Sequence, residues 1–323
     1  MRSMKPIQKI PLNQIDLSDE TFSVNFMPDL QRLRSSVEEV GLIQPVLLRE
    51  KVNGYQIVCG FRRISVFQEL KRAEIDSKVF KQGEMEDIQL FSLSLHENLT
   101  ARGFNIVEKA MALDKLIRWF RVDPTVAVRT YLPLFSLESH EKILNTYLSL
   151  ARMEDELKKY VLREEVSRSN IRKLSALTPE DREALLSFLP SLKLGENRLR
   201  EVLNLLDEIS RREGLGVKEI LRKEDLQKIV SQTDLTPSQR TERVKKVLMN
   251  LRYPRMHRRE EEFEKKRKAL NLPPGLSLNH SLFFEGKGLK MEFQFETIEE
   301  YQGILSSLSH LVDKKEFQEM LQI

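Results

Sequence analysis

A short apolar run ends in a glycine and two arginines at Tyr55-Gln56-Ile57-Val58-Cys59-Gly60-Phe61-Arg62-Arg63, and the segment Ile64 to Lys71 that follows has helix-like spacing. A glycine where a strand turns into a helix lets the backbone approach a ligand closely. Free amides at a helix start attract anions, and two guanidiniums strengthen that attraction. The stretch predicts a phosphate site, although an arginine pair at a helix start is also common on a solvated face.

Further strand-like and helix-like segments surround this turn. The strand-like runs are Ile7 to Leu12, Pro45 to Arg49 and Ile75 to Phe80, and a helix-like segment covers Pro28 to Val40. Gly41 predicts the end of that helix, and Asn53-Gly54 predicts a hairpin. Residues 1–103 are therefore predicted to form a mixed α/β domain.

The composition favours a folded and mainly helical chain. With 323 residues, of which 40% are hydrophobic, the chain can bury a core and form two or three domains. Because 53 Lys and Arg face 49 Asp and Glu, nucleic-acid binding would have to come from local patches. One cysteine excludes an internal disulfide framework and a Cys-clustered zinc site. Neither a membrane-spanning run nor a signal-peptide pattern is visible, so we expect a cytoplasmic protein without a membrane partner.

From Met85 onward the apolar residues recur at helical spacing. The predicted helices include Pro124 to Leu132, His140 to Ala151, Glu154 to Arg163, Ser167 to Leu174, Pro179 to Leu186 and Glu196 to Arg211. We expect an all-α domain over residues 104–215 and a charged helical linker over 216–268. The arginine-rich run Arg252 to Arg259 in that linker is either a solvated helix face or a binding patch.

The tail shows strand alternation followed by a helix start. Leu289, Met291, Phe293 and Phe295 alternate with polar residues, and the run Leu276 to Phe284 would pair with them across residues 285–288. Thr297 and Glu300 have the spacing of a capping box. Residues 269–323 are predicted to form a small ββα unit with little core of its own, which packs on the helical region or pairs with a second copy. The predicted fold class is α+β.

Three segments of the first domain carry polar groups that a core does not need. Gln44 stands at the mouth of a strand, Arg62 and Arg63 supply the anion pocket, and Glu97 and Asn98 place a carboxylate beside an amide. Such oxygens suit Mg²⁺ that bridges phosphates, and Gln44 could orient a water. The set suits a nucleoside triphosphate. The alternative for Glu97 and Asn98 is a helix end with a local cap.

The order and spacing of these motifs resemble the ParB family of chromosome and plasmid partition proteins. The similar boxes are Gly41-Leu42-Ile43-Gln44-Pro45, Gly60-Phe61-Arg62-Arg63, Glu97-Asn98-Leu99 and Asn105-Ile106-Val107-Glu108-Lys109-Ala110. Ile143 to Leu150 resembles the family's recognition helix, and Glu165 to Leu174 resembles the helix after it. The resemblance covers about Ile7 to Leu177 and implies a ParB/sulfiredoxin-like domain followed by a helix-turn-helix domain.

The resemblance also implies a mechanism. ParB-like proteins bind CTP and Mg²⁺, recognise a palindromic DNA site, and close as dimeric clamps that work with a ParA-like ATPase on the nucleoid. By matching positions, Gly60, Arg62 and Arg63 would hold the triphosphate, and Glu97 and Asn98 would serve the metal and the phosphates. Gln44 would promote a slow CTP hydrolysis that acts as a switch. Two positions depart from the family, which usually has Glu at Phe61 and Arg at Ala101, where Arg102 is adjacent.

Polar side chains on two predicted helices are the candidate DNA contacts. The first helix and its start offer Ser139, His140, Lys142, Asn145 and Thr146, and the next offers Arg168, Ser169, Arg172 and Lys173, a denser cluster with Ser167 as N-cap. We expect much of the site-specific contact from the second cluster. The alternative is a helical bundle whose surface happens to be basic.

Three functions fit this reading. The first is a CTP-dependent partition protein that acts as a homodimer on double-stranded DNA with an inverted repeat. The second is a ParB-like transcription or nucleoid-occlusion regulator, which dispersed genomic sites would distinguish from partition. The third is a ParB-fold enzyme that uses nucleotides, such as a kinase or a nuclease, for which no dedicated base or metal cluster beyond Glu97 is visible.

Overall fold

The computed structural model describes residues 5–280 and 288–320, and the chain divides into two units, residues 1–178 and 179–323. The division after Thr178 falls inside the segment 104–215 that the sequence predicts as one helical domain. The four predicted segments, with boundaries after residues 103, 215 and 268, stay a prediction. A mixed α/β start and a largely helical remainder are confirmed.

The first unit begins with a five-stranded sheet in the order β1-β5-β3-β4-β2. Its strands are β1 Ile7–Pro11, β2 Ile15–Asp16, β3 Val46–Lys51, β4 Gly54–Cys59 and β5 Glu74–Phe80. β3 pairs antiparallel with β4 and parallel with β5, β1 pairs antiparallel with β5, and β2 pairs parallel with β4. The predicted hairpin is present, with Lys51 opposite Gly54, whereas the two-residue β2 was too short to predict.

Two helices pack apolar side chains against this sheet. They are α1 Gln31–Val40 and α2 Phe61–Glu69. Val37 of α1 and Ile64 of α2 share one buried cluster with the strand residues Val46 and Ile57. Gly41 ends α1 at a φ of 78°, where a side chain is disfavoured, as the sequence predicts. Helix α2 begins three residues earlier than predicted, directly after the glycine turn.

The rest of the first unit is helical. Its helices are α3 Asp87–Ala101, α4 Ile106–Asp114, α5 Pro124–Val126, α6 Leu132–Leu134, α7 Glu141–Ala151, α8 Asp155–Arg163 and α9 Arg168–Ser175. π-helical turns follow α4 at Lys115–Trp119 and join α5 to α6 at Ala127–Tyr131. Helix α4 packs against α7 and α8, and α7 packs against α9. Helices α7 and α9, which carry the candidate DNA contacts, and α8 between them are thus anchored directly or indirectly to α4.

The second unit continues with six helices and includes the segment predicted as a charged linker. The helices are α10 Pro179–Phe188, α11 Glu196–Glu213, α12 Val217–Leu221, α13 Glu224–Ser231, α14 Pro237–Arg252 and α15 Pro254–Ala269. Within 216–268 the side chains of Leu226, Val244, Leu248 and Phe263 are buried. These helices therefore have a packed apolar face beneath their charged surface.

The tail holds two antiparallel strands and two helices. These are β6 Leu276–His280, β7 Leu289–Phe293, α16 Ile298–Leu311 and α17 Lys315–Met320. Leu276 lies opposite Phe293, and the predicted pairing residues 281–284 and most of the predicted turn lie outside the described residues. The tail shares a buried cluster with helix α15 that includes Phe263, Leu278 and Ile304. Phe295 lies beyond β7 and is exposed.

Candidate functional site

A cavity of about 540 Å³ opens beside the glycine turn of the first unit. Its wall comes from the loop at Phe22 to Asn25, helix α1, the turn between β4 and α2, and the end of α3. It brings together all six residues that the sequence singled out for nucleotide chemistry: Gln44, Gly60, Arg62, Arg63, Glu97 and Asn98. Four arginines and two carboxylates line it, which makes the cavity a cationic one.

Gly60 is the N-cap of α2 and has a φ of 102°. A side chain there would place its Cβ 2.6 Å from Cγ1 of Val46, closer than real side-chain contacts occur. The glycine therefore fits β3 closely and starts α2 at the cavity wall. Because the first-turn amides of a helix have no partner within the helix, this end of α2 favours an anion.

Arg62 stands in the first turn of α2 and is only partly engaged. Its Nε donates to Oδ1 of Asn25 at 2.9 Å, and its Nη2 donates to Oε1 of Glu108 at 2.8 Å. Burial, and then the charge of Arg102, lower the pKa of the guanidinium. An arginine has five N–H donors, so three donors of Arg62 are unused by the described residues.

Arg63 is bound to the neighbouring wall of the cavity. Its Nη2 forms an ion pair with Oε1 of Glu97, and its Nη1 donates to the carbonyls of Gln44 at 3.0 Å and Pro45 at 3.2 Å. The other carboxylate oxygen of Glu97 accepts from the Cys59 thiol at 2.8 Å. Arg63 therefore connects the strand mouth at Gln44 to helix α3.

Arg102 and Glu108 are neighbours of Arg62 in the structure. The sequence suggested that Arg102 could substitute for the family's arginine at Ala101, and it predicted no role for Glu108 in the pocket. Arg102 lines the cavity and donates to Asn98, Gly103, Val24 and Glu108, using four of its five donors. With one donor left, Arg102 can contribute little to a ligand, so it is a poor substitute for the arginine that the family usually has at the position of Ala101. Glu108 is 1% exposed and holds both Arg62 and Arg102. In the sequence, Glu108 could be recognised by its three-residue spacing from Asn105, which is that of a capping box, and Asn105 is the N-cap of α4.

The oxygens of Glu97 and Asn98 are already engaged by donors. Both carboxylate oxygens of Glu97 accept bonds, and Oδ1 of Asn98 accepts from Arg102 at 3.1 Å. Among residues 5–280 and 288–320, no three acidic, histidine or cysteine side chains gather as a metal site. The pair does not by itself fit Mg²⁺ in this arrangement, and its assignment as metal ligands stays a prediction.

The candidate DNA contacts lie at the start of α7 and along α9. Ser139, His140, Lys142 and Asn145 of the first group and Arg168 and Arg172 of the second are exposed, while Ser169 and Lys173 are half-buried. Nδ1 of His140 accepts from the amide of Lys142 at 3.0 Å and so caps α7. Thr146 is the exception, since it is 6% exposed and its hydroxyl donates to the carbonyl of Lys142 at 2.7 Å. Its side chain faces the core, because it lies on the same side of α7 as Leu150 and away from Asn145.

Arg168 also has an acidic neighbour at this surface. Its Nη2 lies 3.5 Å from Oε1 of Glu138, and both side chains are exposed. An exposed pair of this kind contributes little to stability and can open. The DNA roles of both groups stay predictions.

Comparisons with known proteins point to one family. Residues 1–99 match the family model of the ParB N-terminal domain. The chromosome-partitioning protein ParB of Caulobacter vibrioides is 25% identical over 188 residues, which cover 53% of this chain and 59% of that protein. Stage 0 sporulation protein J of Bacillus subtilis is 30% identical over 122 residues, 33% of this chain and 42% of that protein. A nucleoid occlusion protein of Halalkalibacterium halodurans is 25% identical over 180 residues, 54% and 60% of the two chains.

Solved structures of ParB proteins also match. The C-terminally truncated ParB from Caulobacter crescentus complexed with CTP-gamma-S is 20% identical with a TM-score of 0.27, and the match covers 56% of this chain and 97% of that one. The same protein complexed to the centromeric parS site is 19% identical with a TM-score of 0.35, covering 66% and 95%.

This chain spans about three fifths or less of the length of the three curated relatives. No helix within 5–280 and 288–320 is both long and apolar enough to cross a membrane.

The match to the family model begins before β1 and ends inside α3. It therefore includes Gly60, Arg62, Arg63 and Glu97. Residues 1–99 of this chain are therefore similar to the ParB N-terminal domain.

Proposed function

We propose that this chain is a partition protein of ParB type that binds CTP in the cavity of its first unit and site-specific DNA through α7 and α9. The observation that carries the nucleotide part is that Arg62 lines the cavity at the start of α2 with three donors that no described residue uses. CTP is the nucleotide of choice because the Caulobacter crescentus ParB is known in complex with CTP-gamma-S. In this chain the arginines that line the cavity support the binding of a phosphate ligand.

The phosphates would be held by charge-assisted hydrogen bonds. Arg62 would donate its unused N–H groups, and the first-turn amides of α2 beside Gly60 would add to them. Arg63 would support the same wall through its pair with Glu97. Glu97 and Asn98 would serve Mg²⁺ only after releasing the donors that now bind their oxygens, so a metal role for this pair is a separate proposal, which the comparison of Mg²⁺ with EDTA tests.

Calorimetry with CTP, ATP, GTP and UTP tests the nucleotide part, each with Mg²⁺ and with EDTA. We expect CTP to bind and Arg62→Gln to weaken it about tenfold or more, since a hydrogen bond to a charged group contributes about 1.5–3 kcal/mol. Arg34→Gln is the matched control, because Arg34 is an exposed arginine of α1 that pairs with Glu38. Absence of CTP binding at millimolar concentration overturns the nucleotide part and leaves the DNA part to be judged alone.

Slow CTP hydrolysis is the proposed switch, with Gln44 as the residue that promotes it. Gln44 lines the cavity and has an exposed side chain, while only its carbonyl is engaged by Arg63. Gln44→Ala should therefore keep the affinity for CTP and lower the rate of phosphate release. Equal release rates in the two proteins would remove Gln44 from this role.

DNA binding is proposed for the exposed polar groups of α7 and α9. A suitable probe is the parS duplex, on which the Caulobacter crescentus ParB was solved, against a scrambled duplex of equal length. Arg172→Ala together with Lys173→Ala should weaken binding and lower its salt dependence. With fewer phosphate contacts, binding releases fewer counterions from the DNA. Lys159→Ala, on the exposed side of α8, is the control. Equal affinity for parS and the scrambled duplex would contradict site-specific binding to parS, and an inverted repeat would then be sought by selection from random duplexes.

A homodimer and a ParA-like ATPase are the proposed partners. Helix α16 and the residues before it leave Phe295, Ile298, Tyr301 and Leu305 exposed, and we propose that a second copy covers them. Ile298→Asp with Leu305→Asp should shift the mass in sedimentation towards the monomer. The ATPase contact is tested by ATP turnover of a ParA-like protein from the same genome with and without this chain.

A nucleoid-occlusion regulator is the second candidate, because a protein of that name matches over 54% of this chain. Genome-wide mapping of bound DNA distinguishes the two functions. One cluster of sites near the replication origin supports partition, and sites spread over the chromosome support nucleoid occlusion.

A further inference from the structure

One buried carboxylate lies behind the arginines of the cavity. Glu108 is 1% exposed, and its Oε1 and Oε2 accept from Arg62 at 2.8 Å and from Arg102 at 2.7 Å. The same oxygens accept backbone N–H groups of Phe26 at 3.3 Å and Asn105 at 3.2 Å. A single side chain thus joins the loop before α1 and the start of α2 to the end of α3 and the start of α4.

The two guanidiniums that Glu108 holds would repel each other without it. Arg62 and Arg102 are each about four-fifths shielded, at 22% and 20% side-chain exposure, so water screens their repulsion weakly. Arg102 has further partners in Asn98, Gly103 and Val24, whereas among residues 5–280 and 288–320 Arg62 has Asn25 alone besides Glu108. Arg62 is therefore the arginine whose position depends most on Glu108.

We propose that Glu108 is a positioning residue of the anion site, which fixes Arg62 so that its unused donors stay available to the phosphates of the ligand. This inference rests on the proposed nucleotide binding and names the residue that prepares the site for it. Glu108 does not itself line the cavity, so it acts through Arg62 and leaves the ligand to the arginine. A donor held in place before binding loses less conformational freedom when the phosphate arrives.

The isosteric change Glu108→Gln isolates this role. Each oxygen of Glu108 accepts from one arginine and one backbone amide, so in either orientation the NH₂ group of a glutamine faces two donors, and its oxygen carries no charge. Arg102 keeps its bonds to Asn98, Gly103 and Val24 in both cases, whereas Arg62 keeps Asn25 and at most one bond to the neutral oxygen, so the position of Arg62 is the one that the change loosens. Glu38→Gln, which removes one carboxylate from an exposed pair with Arg34, is the matched control.

The experiment measures affinity for CTP and for inorganic tripolyphosphate by calorimetry, together with the arginine Nε–H resonances by NMR. We expect Glu108→Gln to weaken both ligands about tenfold, the size of one charge-assisted hydrogen bond, and Glu38→Gln to change neither. The Nε–H of Arg62, bonded to Asn25, should broaden by exchange with water, while that of Arg102, bonded to Asn98, should stay sharp. A purely structural role would alter both resonances or neither.

Where the wild-type chain binds the two ligands, the loss of affinity and the broadened Arg62 resonance together support the inference, and any other combination overturns it. If the wild-type chain binds neither ligand, the proposed nucleotide binding fails, and the two Nε–H resonances alone decide whether Glu108 positions Arg62. If Glu108→Gln does not fold, the same measurements are made on Glu108→Asp, which keeps the charge but is one methylene too short to reach both arginines. That variant should then show the weaker affinity and the broadened Arg62 resonance.

Discussion

The thiol of Cys59 donates a hydrogen bond to Oε2 of Glu97 across 2.8 Å at the wall of the cavity. Burial, and then the charge of Glu97, raise the pKa of this thiol far above its usual range. A thiol that keeps its proton is a poor nucleophile and remains a neutral, weak hydrogen-bond donor. Cys59 therefore helps to hold the carboxylate that pairs with Arg63.

The raised pKa of Cys59 predicts a pH dependence of stability. Unfolded, the thiol ionises near 9.0, whereas the folded thiol stays protonated, so above that pH the unfolded state binds fewer protons. The contribution is fully present below pH 9 and is lost as the pH rises, by up to about 1.4 kcal/mol per pH unit. Urea unfolding of wild type and Cys59→Ser between pH 7.5 and 10.5 measures it, because serine does not titrate there. A gap between the two curves that does not change with pH would contradict the prediction.

Replacement of Gly60 should destabilise the fold through one identified contact. In Gly60→Ala the new Cβ would lie 2.6 Å from Cγ1 of Val46, a fully buried side chain, and φ would remain at 102°. Overpacking and backbone strain each cost about 1–3 kcal/mol, so we expect a loss of about 3 kcal/mol in the free energy of unfolding. The control is Gly83→Ala, which shares a positive φ of 76° but has nothing within 4 Å of its Cβ. Equal losses in the two variants would exclude the Val46 contact as the cause.

Arg102 and Arg62 should separate stability from ligand affinity. Arg102 donates to four groups of the protein and so supports the structure, whereas Arg62 has three donors without a partner in the described part of the chain. We expect Arg102→Met to lower the free energy of unfolding by about 3 kcal/mol. The change removes one of the two arginines that pair with the buried carboxylate of Glu108, and the loss of one partner of a buried ion pair costs at least about this much. Arg62→Gln should lower it less and weaken CTP more. Calorimetry and urea unfolding of both variants test this, and the reverse order of effects would contradict it.

The residues of the cavity could be predicted where the signal was local. Gly60, Arg62 and Arg63 are adjacent in sequence at a strand-to-helix turn, so their grouping follows from chain geometry alone. Glu108 could not be assigned a partner, since its contacts with Arg62 and Phe26 join segments 46 and 82 residues apart. Its capping spacing to Asn105 was visible and indicated a helix start, but a cap does not reveal what the other oxygen binds.

The charged stretch 216–268 shows a different limit of sequence reasoning. Its charge density favoured a linker, yet Val244, Leu248 and Phe263 are spaced along α14 and α15 so that each meets the core. A narrow apolar stripe in a highly charged helix is enough for packing, and composition averages it away. The position of the unit boundary after Thr178 depends on contacts between distant segments and had no local signal.

Neighbouring residues of α7 should differ sharply in their effect on DNA binding. Asn145 is exposed, while Thr146 is 6% exposed and bonded to its own helix, so only Asn145 can reach a base or a phosphate. If α7 contacts DNA, Asn145→Ala should weaken binding to a parS duplex about tenfold, since a well-made base contact is worth about 1–3 kcal/mol. Thr146→Val should keep the affinity and change the free energy of unfolding by about 1 kcal/mol, the value of its hydroxyl hydrogen bond. Fluorescence anisotropy with the duplex and urea unfolding of both variants measure the two effects, and a loss of DNA affinity in Thr146→Val equal to that in Asn145→Ala would show that α7 presents a different face.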